Sequence, residues 1–169
     1  MRTFIIGFVV AVILLVGGFY LYAQMGFIDP RADIPVRSLE ASQAMAILDS
    51  SIDRRAPEAK NQIVADEADL TAGMKLYQSN CAGCHGDVNH AESSFADSFY
   101  PRAPQFQHDA PDMPGNQNFY LIKHGIRWSG MAAWKQSMTD WQIWQVCAFL
   151  DHMDKLSPAI EQQWRTIAK

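Results

Sequence analysis

One short motif constrains this chain more than any other feature: residues 81–85 are Cys-Ala-Gly-Cys-His. Two thiols separated by two residues, with an imidazole directly after the second, are typical of the attachment site of a c-type haem. Cys81 and Cys84 can each form a thioether to the haem, which holds the His85 imidazole under the iron as the proximal ligand. The motif therefore predicts one covalently bound haem c.

Other uses of paired cysteines fit the sequence less well. A thioredoxin-like redox pair requires a βαβ context, and no β-rich alternation surrounds Cys81 and Cys84. A structural zinc site requires a second pair of ligands at short spacing, which Cys147 alone does not supply. With 3 cysteines, the chain also lacks the dense disulfide framework of small secreted domains. We expect Cys147 to behave as a small apolar residue on a buried helix.

Composition excludes two broad classes of protein. The chain has 169 residues, 49% of them hydrophobic, and a formal net charge of −4. These values are unlike those of a basic nucleic-acid-binding protein or of a disordered chain extended by its own charge. We therefore expect one packed domain with an appendage, and no nucleic acid among its partners.

The N-terminal segment is uncharged from Phe4 to Ala23. As a helix it would rise about 30 Å, which is the thickness of the hydrocarbon core of a bilayer. A cleaved signal peptide is the alternative, but its apolar region is about 7–15 residues long, and Leu21-Tyr22-Ala23 is a poor cleavage site. We expect residues 1–24 to form an uncleaved transmembrane helix with Arg2 on the cytoplasmic side.

Residues 25–65 are predicted to be a linker that contains one amphipathic helix. Pro30 and Pro35 interrupt any helix that continues from the N-terminal segment. Ser38 is a candidate N-cap for a helix that runs to about Arg55 and stops before Pro57. This helix is predicted either to be a surface helix, packed on the domain or lying near the membrane, or to dock a membrane partner.

Residues 66–169 are predicted to form the haem domain, with an all-α fold and a C-terminal tail. Apolar spacing predicts one helix from Asp69 to the motif, and a second, buried helix from Thr139 or Asp140 to Met153. Gly73 would allow the first helix to approach a neighbour closely. The segment between the motif and Asn118 lacks regular periodicity, which a haem can compensate by supplying apolar core surface.

The segment from Asp66 to Leu156 contains Gly73-x-x-x-Tyr77, Cys81-Ala-Gly-Cys-His-Gly86 and three further stretches, in an order that makes it resemble a monohaem class I cytochrome c. Within that class it resembles the modules of membrane-anchored carriers and of cbb-type oxidase subunits. The family often has proline where this chain has Arg102 and Ala132. The matching stretches are Gly73-x-x-x-Tyr77, Cys81-Ala-Gly-Cys-His-Gly86, Ser98-Phe-Tyr-Pro-Arg-Ala-Pro104, Tyr120-Leu-Ile-Lys-His-Gly-Ile-Arg-Trp-Ser-Gly-Met-Ala-Ala-Trp134 and Trp144-Gln-Val-Cys-Ala-Phe-Leu150.

The resemblance implies a second axial ligand at Met131, which follows Gly130 in a predicted loop. Met113 is the next candidate, and His124 would be the replacement if Met131 did not bind. Other methionines on predicted helices are expected to fill the core. A histidine and thioether pair favours ferrous iron and raises the reduction potential, because the soft sulfur prefers Fe(II).

Several further contacts with the haem are expected. The other ring nitrogen of His85 should donate to a backbone carbonyl, with Pro101 and Pro104 as candidates. Arg102 and Arg127 are candidate partners of the haem propionates. Aromatic side chains are expected to pack around the haem and the helices rather than carry electrons. These are Trp128, Trp134, Trp141 and Trp144.

These observations predict a single-pass protein of the bacterial inner membrane, with its haem domain in the periplasm. We expect it to shuttle single electrons between redox complexes, without enzymatic activity or a small-molecule substrate. The alternative is a fixed subunit of an oxidase, reductase or dehydrogenase. A haem-based sensor or peroxidase would require an open sixth coordination site.

Overall fold

The computed structural model describes residues 1–34, 36–61 and 63–168. The chain divides into two compact units, Met1–Arg31 and Ala32–Lys169. All regular elements of the described residues are helices, which confirms the predicted all-α class.

The first unit consists mainly of α1 (Arg2–Gln24). Its side chains form no core of their own, and its apolar length is sufficient to cross a membrane. A signal sequence can also form an apolar helix at the N-terminus, so the structure is compatible with an anchor and with a cleaved leader. Near the end of the helix, the Tyr22 ring stacks on Phe27, which lies beyond it, at a centroid distance of 5.2 Å.

Within its described residues, the second unit contains six α-helices and one short 3-10 turn at Ala96–Ser98. The predicted helix between Ser38 and Arg55 is confirmed, although Ser38 is its first residue and Arg37 occupies the cap position. The α-helices are α2 (Ser38–Arg55), α3 (Glu67–Asn80), α4 (Ala82–His85), α5 (Gly115–His124), α6 (Asp140–Leu150) and α7 (Pro158–Ile167).

The core forms where α3 crosses α6. A Cβ atom added to Gly73 would lie 2.1 Å from the backbone oxygen of Gln145, so the glycine allows the two backbones to touch, as predicted. Thr139 and Gln142 cap α6 reciprocally, and the helix ends at Leu150 rather than at Met153. The most deeply buried side chains are Met74, Tyr77, Ile143, Val146, Cys147, Phe149 and Trp164.

Helix α2 packs against α5 within the second unit. Ile52 is buried there, and the Gln117 amide donates to the Asp53 carboxylate at 2.9 Å. After α2, the Asn116 amide donates to the Pro57 carbonyl at 2.8 Å. The helix thus packs on the domain, which agrees with the first of the two interpretations; docking of a membrane partner stays a prediction.

Helix α7 is a well-packed part of the core, although the sequence predicted only a tail. The Trp164 ring makes edge contacts with Tyr77 and Phe149, at centroid distances of 5.9 and 5.1 Å. Its indole N–H donates to the Gln78 side-chain oxygen at 2.6 Å. Ile160 is also buried, and Ile160, Trp164 and Ile167 follow helical spacing after the Ser157 cap, a signal that the sequence interpretation missed.

Candidate functional site

A largely apolar cleft of the second unit brings together all four predicted site residues. Met131 is far from Cys81, Cys84 and His85 in the sequence, yet all four residues line the same cleft. The remaining lining is mostly hydrophobic, including Tyr77, Phe99, Phe106, Leu121, Ile122, Ile126, Trp134, Val146 and Leu150.

Local helical geometry arranges the motif. The backbone N–H groups of Cys84 and His85 both donate to the Cys81 carbonyl at 3.0 Å, which forms one turn. Residues three and four positions apart lie on the same side of such a turn, so the two thiols and the imidazole share one face. Gly86 then ends the turn with φ +79°, where a Cβ would lie 2.8 Å from the Ala91 carbonyl oxygen.

The Cys81 thiol is not poised for redox chemistry of its own. Cys81 and Cys84 are both free, and burial raises the pKa of Cys81 to about 12, with a further contribution from Cys84. Because the thiolate is the reactive form, such a thiol is a poor partner in thiol–disulfide exchange. Burial likewise raises the pKa of Cys147, which is fully enclosed, as the sequence predicted.

The His85 ring is held on two sides by residues of one loop. Nδ1 donates to the Pro104 carbonyl oxygen at 2.9 Å, which selects Pro104 over Pro101 as the acceptor. The Phe106 ring stacks on the imidazole at a centroid distance of 4.4 Å. The backbone N–H of Phe106 donates to the His85 backbone carbonyl at 3.1 Å. With the proton on Nδ1, Nε2 keeps its lone pair free for a metal.

The charge state of His85 also suits metal binding. Burial lowers the pKa of this imidazole below its usual value, and the opposing effect of the Pro104 carbonyl is smaller. The ring is therefore neutral at pH 7. Neutral imidazole is the form that ligates metals.

Met131 lies in a loop between α5 and α6 that is closed by backbone hydrogen bonds. Its carbonyl accepts from Ile126 at 3.0 Å, and its N–H donates to the Ser129 hydroxyl at 3.1 Å. Gly125 begins the loop with φ +65°, and a Cβ there would lie 2.6 Å from the Met131 oxygen. The loop holds its shape by these contacts rather than by the proline that is frequent in the family.

Among the described residues that line the cleft, His85 carries the one imidazole and Met131 the one thioether. The alternative ligands Met113 and His124 do not line it. Met74 is fully buried in the core, in agreement with the packing role predicted for it.

Two further predictions concern charged and aromatic side chains. Arg102 lines the cleft and is paired with Asp97, whereas Arg127 is not part of the lining. Trp134 lines the cleft, as expected, and the remaining tryptophans differ from one another. Trp144 stacks on Phe119 at 4.3 Å. The packing expectation was wrong for Trp128 and Trp141, which are 92% and 54% exposed.

The residues present fit a haem in this cleft. Its apolar walls suit the macrocycle, two thiols on one turn suit thioether attachment, and a neutral imidazole and a soft thioether are both suitable ligands for its iron. Sequence reasoning missed Gln105 and Asn118, two buried polar side chains at the site. Gln105 lies in an irregular segment and Asn118 on α5, and a single amide carries no periodic signal by which either could have been found.

Comparison with protein families gives one match. A family model described as "Cytochrome C oxidase, cbb3-type, subunit III" matches residues 68–150. The matched range contains the motif and the Met131 loop, and leaves α1, α2 and α7 outside it. The chain has no match among the curated proteins or the solved structures.

Proposed function

We propose that this chain transfers single electrons through one haem c. The proposal rests on residues 68–150, which form a cytochrome c domain of the cbb3 oxidase subunit III type, a domain that implies covalent haem c and electron transfer. Cys81 and Cys84 attach the haem, and His85 and Met131 are its axial ligands. The chain is an electron-transfer protein and not itself an enzyme.

One observation carries the proposal: the fold presents a single imidazole and a single thioether among the described residues of an apolar cleft, beside two free thiols. A haem bound there would supply an iron that gains and loses one electron. If His85 and Met131 both ligated that iron, no position would be left for a substrate, which suits electron transfer rather than catalysis.

The side chains have separate tasks in this scheme. The two thiols fix the position of the macrocycle, while the Pro104 carbonyl and the Phe106 ring fix the plane of the His85 imidazole. The thioether of Met131 favours the reduced state, which raises the reduction potential. The apolar walls exclude water and so limit the reorganisation that accompanies a change of charge.

We propose further that α1 anchors the chain in the bacterial inner membrane, with the haem domain in the periplasm and redox complexes as donor and acceptor. An anchor confines the domain near membrane partners and raises its effective concentration there, so small and short-lived interfaces suffice. Intact mass spectrometry of the mature protein separates an anchor from a signal peptide: an anchor is retained, and a signal peptide is missing.

Absorption spectra test the ligation. The wild-type protein is expected to display a weak sulfur-to-iron charge-transfer band when oxidised, and to bind no carbon monoxide when reduced. Met131→Ala should remove the band, open the sixth position to carbon monoxide and lower the reduction potential. Met113→Ala is the matched control, because this loop methionine lies outside the cleft lining. Unchanged spectra in Met131→Ala would overturn the assignment of Met131.

The description of the matching family favours a second candidate, a fixed subunit of a multi-component oxidase. In that case α1 and α2 would be assembly contacts. Purification in mild detergent from native membranes distinguishes the two candidates. A free carrier elutes alone at the size of its own micelle, whereas a subunit elutes with other polypeptides in fixed proportion.

A further inference from the structure

A buried glutamine lies directly behind the proximal side of the cleft. Gln105 is 5% exposed, and its side-chain amide makes three hydrogen bonds. Nε2 donates to the Cys84 carbonyl at 2.9 Å and to the Ala103 carbonyl at 2.7 Å. Oε1 accepts from the Ser93 N–H at 2.7 Å. Both donor hydrogens of the amide are thus in use. Together with the bond to Oε1, they join the segments around Cys84, Ser93 and Ala103.

One of these bonds ends next to His85, and another ends next to Pro104, which holds the His85 ring. Cys84 directly precedes His85, and Ala103 directly precedes Pro104, whose carbonyl accepts from the imidazole. The residue after Gln105 is Phe106, whose ring stacks on the same imidazole. The glutamine side chain therefore ties the segment that positions the ring to the segment that bears it.

The chemistry of the loop explains why a side chain performs this task. The loop contains Pro101 and Pro104, and proline has no N–H with which to join a neighbouring strand of chain. The Gln105 amide supplies two N–H donors at the point where the backbone lacks them. Because the amide is buried, a substituent that cannot donate leaves the Cys84 and Ala103 carbonyls without this partner, at a cost greater than the bond itself.

From these contacts we propose that Gln105 is a positioning residue for the proximal ligand: its side chain holds the Pro104 carbonyl against His85 Nδ1–H and thereby lowers the reduction potential. When the ring nitrogen that does not bind the metal donates a hydrogen bond to an acceptor, the metal-bound imidazole becomes more basic. A more basic ligand favours the more highly charged, oxidised iron. Loosening the carbonyl therefore moves the potential upward. The inference depends on His85 being the ligand, as in the proposed function.

Gln105→Met tests this role in the full-length haem-loaded protein. Methionine keeps the length and volume of the side chain but removes all three hydrogen bonds. The matched control is Gln107→Met, two residues further on, where the native side chain takes part in none of these three bonds. The two measurements are the midpoint potential and, by NMR of the reduced protein, the solvent exchange rate of the His85 Nδ1–H.

We expect Gln105→Met to shift the one-electron equilibrium toward the reduced state by roughly fivefold, the effect of weakening one hydrogen bond. For a one-electron couple, tenfold corresponds to about 59 mV. The Nδ1–H should exchange several-fold faster, and Gln107→Met should match the wild type in both measurements. Gln105→Asn keeps the amide but retracts it by one methylene, so it should give a smaller change of the same sign.

A potential and an exchange rate equal to those of the wild type, whatever the loss of thermal stability, would overturn the inference and leave Gln105 a structural residue. If Gln105→Met yields no haem-loaded protein, the same two measurements on Gln105→Asn decide the question. Failure of the proposed function is visible separately, because the wild-type protein would then lack the spectrum of a His85 and Met131 pair.

Discussion

Replacing Gly73 with alanine tests the central helix contact of the haem domain. The added Cβ would lie 2.1 Å from the Gln145 carbonyl oxygen, 2.7 Å from the carbon of the same carbonyl and 3.0 Å from Phe149 Cβ. Ordinary contacts begin at 3.4 Å. The two nearest obstacles are backbone atoms, which cannot rotate away, so α3 and α6 must separate by roughly 1 Å to relieve the overlap.

The expected cost follows from two opposing effects. Overpacking a well-filled core costs about 1–3 kcal/mol, and a backbone obstacle calls for the upper end of that range. Alanine recovers up to about 1 kcal/mol of helix propensity relative to glycine. The free energy of unfolding should therefore fall by about 2 kcal/mol, which for a domain of this size lowers the melting temperature by about 6–10 °C.

The assay is thermal unfolding of the full-length haem-loaded protein in detergent, followed by circular dichroism and by haem absorption. Gly83→Ala is the matched control, since nothing lies within 4 Å of its added Cβ on α4. This variant should be as stable as the wild type or slightly more stable. If Gly73→Ala unfolded at the same temperature as Gly83→Ala, the close approach of α3 and α6 would be refuted.

Two more predictions concern stability. Burial raises the pKa of Asp87, but hydrogen bonds from Gln78 and from two backbone N–H groups outweigh it and hold the pKa below its usual 3.8. The ionised carboxylate therefore adds stability that is present above pH 3.8 and is lost as pH falls through the folded-state pKa. Asp87→Asn should lower the free energy of unfolding by about 2 kcal/mol at pH 7. The melting curves of this variant and of the wild type should converge below pH 3.8. A difference between them that did not depend on pH would contradict this. Trp164→Leu should cost about 3 kcal/mol in denaturant titration, whereas Trp141→Leu, at an exposed ring, should cost well under 1 kcal/mol; equal costs would mean that α7 contributes nothing to the core.

The parts of the fold that were predictable are those with a local pattern. Periodic apolar residues and a capping threonine revealed α2, α3 and α6, and the clash at Gly73 agrees with the close approach that glycine suggested. Helix α7 has such a pattern too, since Ile160, Trp164 and Ile167 repeat at helical spacing after the Ser157 cap, but it was overlooked; only the structure shows Trp164 against Tyr77. Trp128 was misplaced because size and apolarity alone do not reveal that a loop projects a ring into solvent.

The candidate site divides along the same line. Cys81, Cys84 and His85 occupy one helical turn, so local geometry alone puts them on one face, and the sequence by itself determined this half of the site. Pro104 and the Met131 loop reach the cleft from distant parts of the chain, and Gln105 lies behind it. Only the tertiary structure decided their positions, because these depend on how α3, α5 and α6 pack and on hydrogen bonds between irregular segments, neither of which leaves a periodic pattern in the sequence.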